Sequence, residues 1–417
     1  MIFRPASLSV PIRQYLIVTG NYWAFTMTDG ALRMLVVLHF HQLGYSPLQV
    51  AMLFIFYEVF GVVTNLLGGW LGARSGLNAT MNAGLAIQIV ALSLLLVPDN
   101  LLTIGLVMVA QALSGIAKDL NKMSAKSAIR LLVPKGAEGT LYKWVTMLTG
   151  SKNALKGFGF FLGGALLAAW DFRGAITIMV AALTVVWLFS LFALKKDLGK
   201  SNSKPKFSQL FSKSQAINYL SAARLFLFAA RDVWFVIALP VYLSSVLGWD
   251  DRLVGAFLAS WIIGYGLVQS VTPAVTRTIF AGTDRAHTPT PRALFHWAVG
   301  LSLIPAGIAL AMTSGAPIEL SLIAGLLVFG VLFAVNSALH SFLVINFASD
   351  DAVSMDVGFY YMANAIGRLL GTVLSGWVFQ TWGLAYCLWI SSALIALSAA
   401  VSLKLSQYHK EEKFSFH

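Results

Sequence analysis

The sequence is poor in charged residues and contains a single cysteine. Only 11% of its 417 residues are Asp, Glu, Lys or Arg, whereas 58% are hydrophobic. A soluble protein carries charge on roughly a quarter of its residues, so this composition, with a mean hydropathy of +0.76, predicts a polytopic membrane protein. Because Cys387 is the only cysteine, disulfides, CxxC redox chemistry and thiolate metal clusters are excluded.

The sequence also lacks the short motifs of embedded enzymes and of ATP-driven pumps. It contains no HExxH, GxSxG or Walker A sequence and no cluster of paired carboxylates. We therefore expect no enzymatic activity, no cofactor and no metal site. Energy is expected from proton antiport or from uniport down the substrate gradient. The net charge of +12 does not indicate a nucleic-acid partner, because in a membrane protein the distribution of charge matters more than its sum.

Long apolar runs dominate the chain. A membrane-spanning helix needs about 20 mostly apolar residues. Twelve such runs lie at approximately 15–40, 48–71, 79–97, 101–123, 143–168, 173–194, 217–246, 252–275, 293–313, 318–346, 357–379 and 384–404. A polar, basic segment separates six runs from six. The predicted domains are an N-terminal six-helix bundle (1–194), a cytoplasmic linker (195–216) and a C-terminal six-helix bundle with a short cytoplasmic tail (217–417).

The basic residues orient these spans. If the N-terminus is cytoplasmic, 19 of the 29 Lys and Arg residues fall in cytoplasmic segments, including six lysines between 195 and 213. The external segments then hold two, Arg173 and Arg252. Because basic residues accumulate in cytoplasmic loops, we expect both termini to be cytoplasmic.

The two halves of the chain resemble each other. DGALRMLVVLHFHQLGY, from Asp29, is similar to DVWFVIALPVYLSSVLGW, from Asp232. NALKGFGFFLGGAL, from Asn153, is similar to NAIGRLLGTVLSGWV, from Asn364. Two parallel six-helix repeats joined by a cytoplasmic linker are typical of the major facilitator superfamily. The sequence therefore predicts an all-α membrane protein of twelve transmembrane helices with the major facilitator fold, built from two pseudo-symmetric six-helix bundles.

The loop after the second predicted span favours the same fold. GWLGARSG, from Gly69 to Gly76, resembles the superfamily motif G-x-L-[AS]-D-R-x-G, which makes Gly69, Arg74 and Gly76 candidates for a gating loop. Ala73 stands where the motif has Asp. The carboxylate of the superfamily's gating ion pair is therefore missing from this motif.

Eight basic residues and four carboxylates remain inside the predicted spans. They are Arg33, Lys118, Lys122, Lys152, Lys156, Arg224, Arg231 and Arg368, with Asp29, Glu58, Asp119 and Asp232. A charge at the centre of a membrane helix costs about 2.5–3.5 kcal/mol on insertion scales, so such residues usually pair or line a pathway. Lys122 and Arg224 lie near the cytoplasmic ends of their helices, where such side chains can extend to the interface.

Some of these charges have potential partners nearby in sequence. Asp29 and Arg33 are four residues apart and share a helix face, so an ion pair and a functional role are both open. The neighbours Arg231–Asp232 are expected to brace the equivalent helix of the second half. The neighbours Lys118–Asp119 point about 100° apart, so each is expected to serve a neighbouring helix.

Lys152 and Lys156 share a helix face and have no carboxylate three or four residues away. Lys156 lies about 20 Å from the cytoplasmic end of its helix at 1.5 Å per residue, close to the membrane midplane. Arg368 has a similar position in the matching helix. We predict that these three line one central cavity for an anionic substrate, with Arg33 and Arg231 near its walls. The candidate substrate-binding residues are Arg33, Lys118, Lys152, Asn153, Lys156, Arg231 and Arg368.

Glu58 is the leading candidate for proton coupling. It lies about ten residues from either end of its predicted span and has no cation three or four residues away. Burial is therefore expected to dominate its environment, and burial disfavours a charged carboxylate. Asp29, Asp119 and Asp232 are the other coupling or ion-pair candidates; the first and last have an arginine nearby that should keep them ionised. The alternative is a fixed pair between Glu58 and a lysine of another helix.

Three stretches carry a more specific resemblance. They are NYWAFTMTDGALRMLVVLHFHQLGYSP (21–47), SGIAKDLNKMSAKSAIRLLVP (114–134) and GTLYKWVTMLTGSKNALKG (139–157). With them, and through most of its length, the chain resembles the ArsJ family of bacterial major facilitator permeases. The resemblance implies an inner-membrane exporter that works by alternating access and confers arsenate resistance. The implied substrate is 1-arseno-3-phosphoglycerate, an organic arsenate ester made by a glyceraldehyde-3-phosphate dehydrogenase. The implied partners are this small anion, the lipid bilayer and, functionally, the dehydrogenase.

Other functions remain open from the residues alone. An organophosphate or sugar-phosphate antiporter of the same superfamily needs a similar basic cavity. Arsenate and phosphate groups differ little in charge, so the residues indicate only a polyanion and the resemblance supplies the arsenic. A membrane-embedded enzyme lacks its motifs, and a lipid-binding structural protein has no need of cations at the midplane.

Overall fold

The computed structural model describes residues 10–43, 53–98, 101–134, 136–194, 214–249, 251–280, 289–349 and 353–415, and these residues are helical almost throughout. The helices are α1 (Val10–Gln42), α2 (Ile55–Ser75), α3 (Leu77–Ser93), α4 (Ile104–Leu132), α5 (Glu138–Ala193), α6 (Gln215–Phe235), α7 (Ala238–Ser245), α8 (Asp251–Phe280), α9 (Pro291–Thr313), α10 (Ile318–Phe347), α11 (Val353–Trp382) and α12 (Leu384–Ser415). The prediction of an all-α protein is confirmed.

Within the described part of the chain, eight helical segments are long and apolar enough to cross a membrane. Three further helices, α1, α4 and α11, have 33, 29 and 30 residues and carry charged and polar side chains within their length. These helices are long enough to cross a membrane, and their charged and polar side chains explain their lower hydropathy. Every predicted span overlaps helical residues of this part of the chain.

The 56 residues of α5 contain two predicted spans. The helix is interrupted at Trp170 and Asp171, and Asp171 has a φ of 58°. Asp tolerates this left-handed backbone better than most residues, and its Oδ1 accepts a hydrogen bond from the Gly174 backbone N–H at 2.8 Å. Asp171 thus ends one helix and caps the next, at the boundary predicted between 168 and 173.

Packing divides the described residues into two compact units. The first unit takes those of 1–144, 151–212 and 348–362, and the second takes those of 145–150, 213–347 and 363–417. The helix α11 is therefore shared between the two units. Most of the predicted linker, residues 195–213, lies outside the described residues, so the predicted domain boundaries stay a prediction.

Each unit has its own apolar core. In the first unit, the core includes Phe25, Leu35, Val107 and Ile176. In the second, it is aromatic: Trp234 packs edge-on against Trp261 and Phe329, with ring centroids 5.9 and 5.1 Å apart. Such edge-to-face arrangements are the preferred geometry of aromatic pairs.

Glycines let two pairs of helices approach closely. A Cβ at Gly163 of α5 would lie 2.5 Å from the Ala31 carbonyl oxygen of α1, and one at Gly159 would lie 2.8 Å from that of Met27. In the second unit, a Cβ at Gly371 of α11 would lie 2.6 Å from the Ala229 carbonyl oxygen of α6. Small residues at such interfaces are the usual means of close packing in membranes. These contacts place charged side chains of the paired helices beside each other.

Candidate functional site

Asp29 of α1 lies at the close contact between α1 and α5. Its side chain is buried, and Oδ1 accepts a hydrogen bond from the Tyr57 hydroxyl at 2.7 Å. Its Oδ2 lies 3.8 Å from Lys156 Nζ, which is an ion pair longer than a hydrogen bond. Sequence spacing offered Arg33 as the cation of Asp29, but the glycine contacts bring Lys156 of α5 to this carboxylate.

Tyr57 of α2 contacts three of the predicted charged residues. Besides donating to Asp29, its ring centroid lies 4.8 Å from Arg33 Cζ and 3.8 Å from Lys118 Nζ. The two cationic groups are therefore at most 8.6 Å apart. Cations within about 6 Å of an aromatic centroid are attracted to the ring. We define the Tyr57 cluster as Asp29, Arg33, Tyr57, Lys118 and Lys156.

The sequence did not point to Tyr57. It stands in the run LFIFYEVF, where neighbouring aromatic residues such as Phe56 and Phe60 are exposed as lipid-facing side chains would be. The only available signal was its position beside Glu58.

The structure corrects the placement of Glu58. It lies in the first turn of α2, not midway along a span, because the helix begins at Ile55 in the described part of the chain. Its side chain is 36% exposed and its Oε1 lies 3.4 Å from Arg33 NH2. Burial therefore does not dominate its environment, and Arg33 of α1 is a cation beside it.

Three lysines follow one face of α4 at intervals of four residues. Lys122 Nζ donates to Asp119 Oδ1 at 2.6 Å, and Lys118 Nζ lies 3.9 Å from Asp119 Oδ2. Lys118 serves the neighbouring helix α2 through Tyr57, as predicted, but it also lies beside Asp119. The expected extension of Lys122 to the interface is wrong, because this side chain pairs with Asp119. Lys126 is one of the 19 basic residues that the predicted topology puts in cytoplasmic segments. In the structure it is only 3% exposed and donates to the Tyr361 hydroxyl. We call Lys118, Lys122 and Lys126 the lysine ladder.

Lys152 and Asn153 lie one turn before Lys156 on α5. Lys152 Nζ donates to the Asn153 Oδ1 of the next residue at 3.3 Å, and all three side chains are partly accessible. Two ammonium groups four residues apart on one helix face repel each other, and the Asp29 carboxylate lies beside the second of them.

The second unit has a corresponding carboxylate, Asp232 of α6. It is fully buried, and its Oδ1 lies 2.5 Å from Arg231 NH2. Its Oδ2 accepts from Arg368 Nε of α11 at 3.3 Å. The expected bracing by Arg231 is confirmed, and Arg368 adds a second cation across the α6–α11 contact. The prediction that Arg368 shares one cavity with Lys152 and Lys156 stays a prediction.

Arg224 of α6 was expected at the membrane interface, but it is only 3% exposed. Its Nε donates to Asn364 Oδ1 at 2.9 Å, and its NH1 donates to Ser337 Oγ at 3.1 Å. Its guanidinium lies 3.9 Å from the Phe228 ring centroid. The repeat that aligned Asn364 with Asn153 was the signal for this missed polar cluster.

The candidate gating loop is a tight turn between α2 and α3. Gly76 has a φ of 93°, a conformation that only glycine adopts readily. The Gly69 carbonyl oxygen accepts from Ser354 Oγ of α11 at 2.8 Å. Arg74 is exposed, and its guanidinium lies 5.2 Å from the Trp70 ring centroid.

The sequence profile of the Major Facilitator Superfamily matches residues 16–283. The chain belongs to the Major Facilitator Superfamily. It is therefore a multi-pass membrane transporter, as the twelve apolar runs and the internal repeat predicted. Comparison with curated protein sequences finds no match.

Solved major facilitator structures share the fold at low sequence identity. The Escherichia coli fucose:proton symporter FucP is 14% identical, with a TM-score of 0.70 over 94% of this chain and 99% of that one. The human organic anion transporter MFSD10 (TETRAN) is 15% identical, with a TM-score of 0.72 over 95% and 100%. A bacterial homologue of the iron transporter ferroportin is 15% identical, with a TM-score of 0.73 over 96% and 100%.

The charges of the first unit define what this major facilitator transporter can bind there. Six cations lie on its described helices α1, α4 and α5 in and around the Tyr57 cluster and the lysine ladder, against three carboxylates. The cations are Arg33, Lys118, Lys122, Lys126, Lys152 and Lys156, and the carboxylates are Asp29, Glu58 and Asp119. Net charge in a membrane interior is costly, so this formal count favours an anionic ligand.

Proposed function

We propose that the chain exports an organic arsenate ester, 1-arseno-3-phosphoglycerate, across a bacterial inner membrane with both termini in the cytoplasm. The observation that carries the proposal is the formal count of six cations against three carboxylates in and around the Tyr57 cluster and the lysine ladder. Within the cluster, Lys156 lies beside the buried Asp29 carboxylate, and Arg33 and Lys118 contact the ring of the tyrosine that donates to it. The resemblance of 21–47, 114–134 and 139–157 to the ArsJ family supplies the arsenic.

The proposed binding residues differ in how they bind an oxyanion. Arg33 presents a planar fork that can bind an oxyanion through two parallel hydrogen bonds, whereas Lys152, Lys156 and Lys118 act as point charges. A pentavalent arsenate ester presents oxygen atoms, which need hydrogen-bond donors and not thiol ligands. The single cysteine fits that requirement.

Asp29 holds Lys156 in place when no substrate is bound. An incoming oxyanion competes with Asp29 for the ammonium group, because the 3.8 Å ion pair is loose. Competition of this kind needs no proton, so we propose uniport, the second of the two expected modes. An inside-negative membrane potential expels an anion without proton exchange.

Uptake into everted membrane vesicles tests the proposal. The vesicles receive arsenate, glyceraldehyde 3-phosphate, NAD and the dehydrogenase together, and arsenic inside the vesicles is measured. We expect accumulation that requires every component, because the ester forms only in the complete mixture. If arsenic accumulates equally without the dehydrogenase, the ester is not the substrate.

The same charge excess fits an organophosphate or sugar-phosphate transporter. Vesicles preloaded with phosphate esters separate the two functions. If labelled 3-phosphoglycerate or a sugar phosphate enters in exchange at the rate of the arsenate mixture, the alternative replaces the proposed substrate.

A further inference from the structure

The lysine ladder of α4 extends the positive charge of the Tyr57 cluster, with which it shares Lys118. Its three ammonium groups repeat every four residues, so they share one helix face over about 12 Å of helix. Asp119 pairs with Lys118 and Lys122, and the four side chains together carry a formal charge of +2. That charge complements an oxyanion dianion such as a phosphate or arsenate ester.

Each lysine of the ladder contacts a tyrosine ring, and the three lysines differ in exposure. Lys118 Nζ lies 3.8 Å from the Tyr57 centroid, whereas Lys122 and Lys126 Nζ lie 4.6 and 4.9 Å from the Tyr361 centroid. The side chains of Lys118 and Lys122 are 14% and 15% exposed, but Lys126 is enclosed by its bond to Tyr361. A small anion therefore has access to Lys118 and Lys122.

The ladder is continuous with the proposed substrate site through one side chain. Lys118 and Arg33 contact the same Tyr57 ring and lie at most 8.6 Å apart. Arg33 and Lys156 lie on α1 and α5, and Lys118 and Lys122 on α4. Arg33 and Lys118 thus meet at one ring, and a short molecule with an oxyanion at each end can span a separation of at most 8.6 Å.

We infer that the first unit binds a two-headed anion through two oxyanion subsites that share Tyr57: Arg33 with Lys156, and Lys118 with Lys122. The inference rests on the proposed function and names the selectivity of the same site. It states that the transporter distinguishes molecules with two oxyanion groups from those with one, whatever the central atom of those groups.

Binding of two stable phosphonates to the full chain in lipid nanodiscs tests this. Propane-1,3-diphosphonate carries two heads, and propylphosphonate carries one on the same three-carbon chain; neither hydrolyses. Affinities are measured by isothermal titration calorimetry. We expect the two-headed ligand to bind at least about ten-fold more tightly, the size of a hydrogen bond to a charged group.

Variants of the ladder locate the second subsite. We expect Lys118→Gln and Lys122→Gln to lower the affinity for the diphosphonate more than that for propylphosphonate, so that the ratio of the two affinities falls from about ten towards one. The glutamine amide can still donate to Asp119, and far-UV circular dichroism checks that each variant is folded. Lys143→Gln, on an exposed lysine of α5, is the control and should change neither affinity.

The outcomes separate the inference from the proposed function. Equal affinity for both ligands in the unmodified protein overturns the two-subsite inference and leaves an anion transporter. If both ladder variants lose affinity for the two ligands by the same factor, the two-subsite inference is also overturned, because both ligands then occupy a single site. If neither phosphonate binds the unmodified protein, the proposed anion site itself is wrong.

Discussion

At the scale of single residues, Tyr57 shows how a neutral side chain organises charges. Its hydroxyl donates to Asp29, and its ring contacts Arg33 and Lys118. A buried carboxylate needs such a donor, since losing a bond to a charged group costs more than losing a neutral one. The aromatic ring attracts cations without adding a negative charge that would repel an anionic substrate.

Tyr57→Phe removes the hydroxyl and keeps the ring. We expect the variant to be less stable by about 1–3 kcal/mol, because Asp29 loses its hydrogen-bond donor in a buried environment. Thermal unfolding of the purified protein measures the change. Tyr15→Phe, which removes a longer hydroxyl contact of 3.3 Å to the Trp144 carbonyl, should unfold close to the parent. Equal unfolding temperatures for all three proteins would contradict this role of Tyr57.

Asn364 and Asn153 occupy matching positions of the repeat but differ in environment. Asn364 is buried and accepts from Arg224 Nε, whereas Asn153 is partly accessible. We expect Asn364→Leu to destabilise the protein by about 1.5–3 kcal/mol, because it leaves a buried guanidinium short of an acceptor. Asn153→Leu is the matched comparison and should cost less in the same unfolding measurement. A larger loss in the Asn153 variant would show that the Arg224 contact contributes little.

At the scale of elements, the α1–α5 contact determines which charges meet. Gly30, Gly159 and Gly163 allow the two backbones to touch, and Asp29 reaches Lys156 as a result. A larger side chain at this contact would separate the helices and the ion pair together. Overpacking of a close interface costs about 1–3 kcal/mol.

Gly163→Leu tests this dependence. We expect loss of transport in everted vesicles and a lower unfolding temperature, because the new side chain overlaps the Ala31 backbone. Gly300→Leu in α9 is the control, since a Cβ at Gly300 meets nothing within 4 Å. Full transport by the Gly163 variant would mean that the α1–α5 contact is not needed for binding.

At the scale of the whole molecule, net charge decides the driving force. An inside-negative membrane potential expels anions, and each elementary charge moved across 100 mV gains about 2.3 kcal/mol. Export of a polyanion by uniport is therefore favourable without proton exchange.

Everted vesicles with potassium gradients and valinomycin measure this directly. We expect arsenic uptake to rise with an interior-positive potential and to change little when a pH gradient is imposed at zero potential. The opposite dependence would establish proton antiport. In that case Glu58→Gln and Asp29→Asn decide which carboxylate carries the proton, since the true carrier's variant loses its response to the pH gradient.

The sequence by itself determined the class and the architecture. Apolar runs of about 20 residues force membrane-spanning helices, because backbone groups must be satisfied within each segment in lipid. The internal repeat and the Gly69–Gly76 turn then predicted the major facilitator fold, and the charges inside the spans pointed to an anion. These signals are local or periodic, so a single chain reveals them.

Only the tertiary structure decided which charges are partners. Sequence spacing offered Arg33 to Asp29 and left Lys156 without a local carboxylate, whereas helix packing joins Asp29 to Lys156 and Arg33 to Glu58. The burial of Arg224 and the contacts of Tyr57 also depend on neighbours distant in sequence. Spacing along one helix specifies only which residues share a face. Which helix that face meets depends on small residues such as Gly159 and Gly163, whose contacts appear only when the helices are packed together.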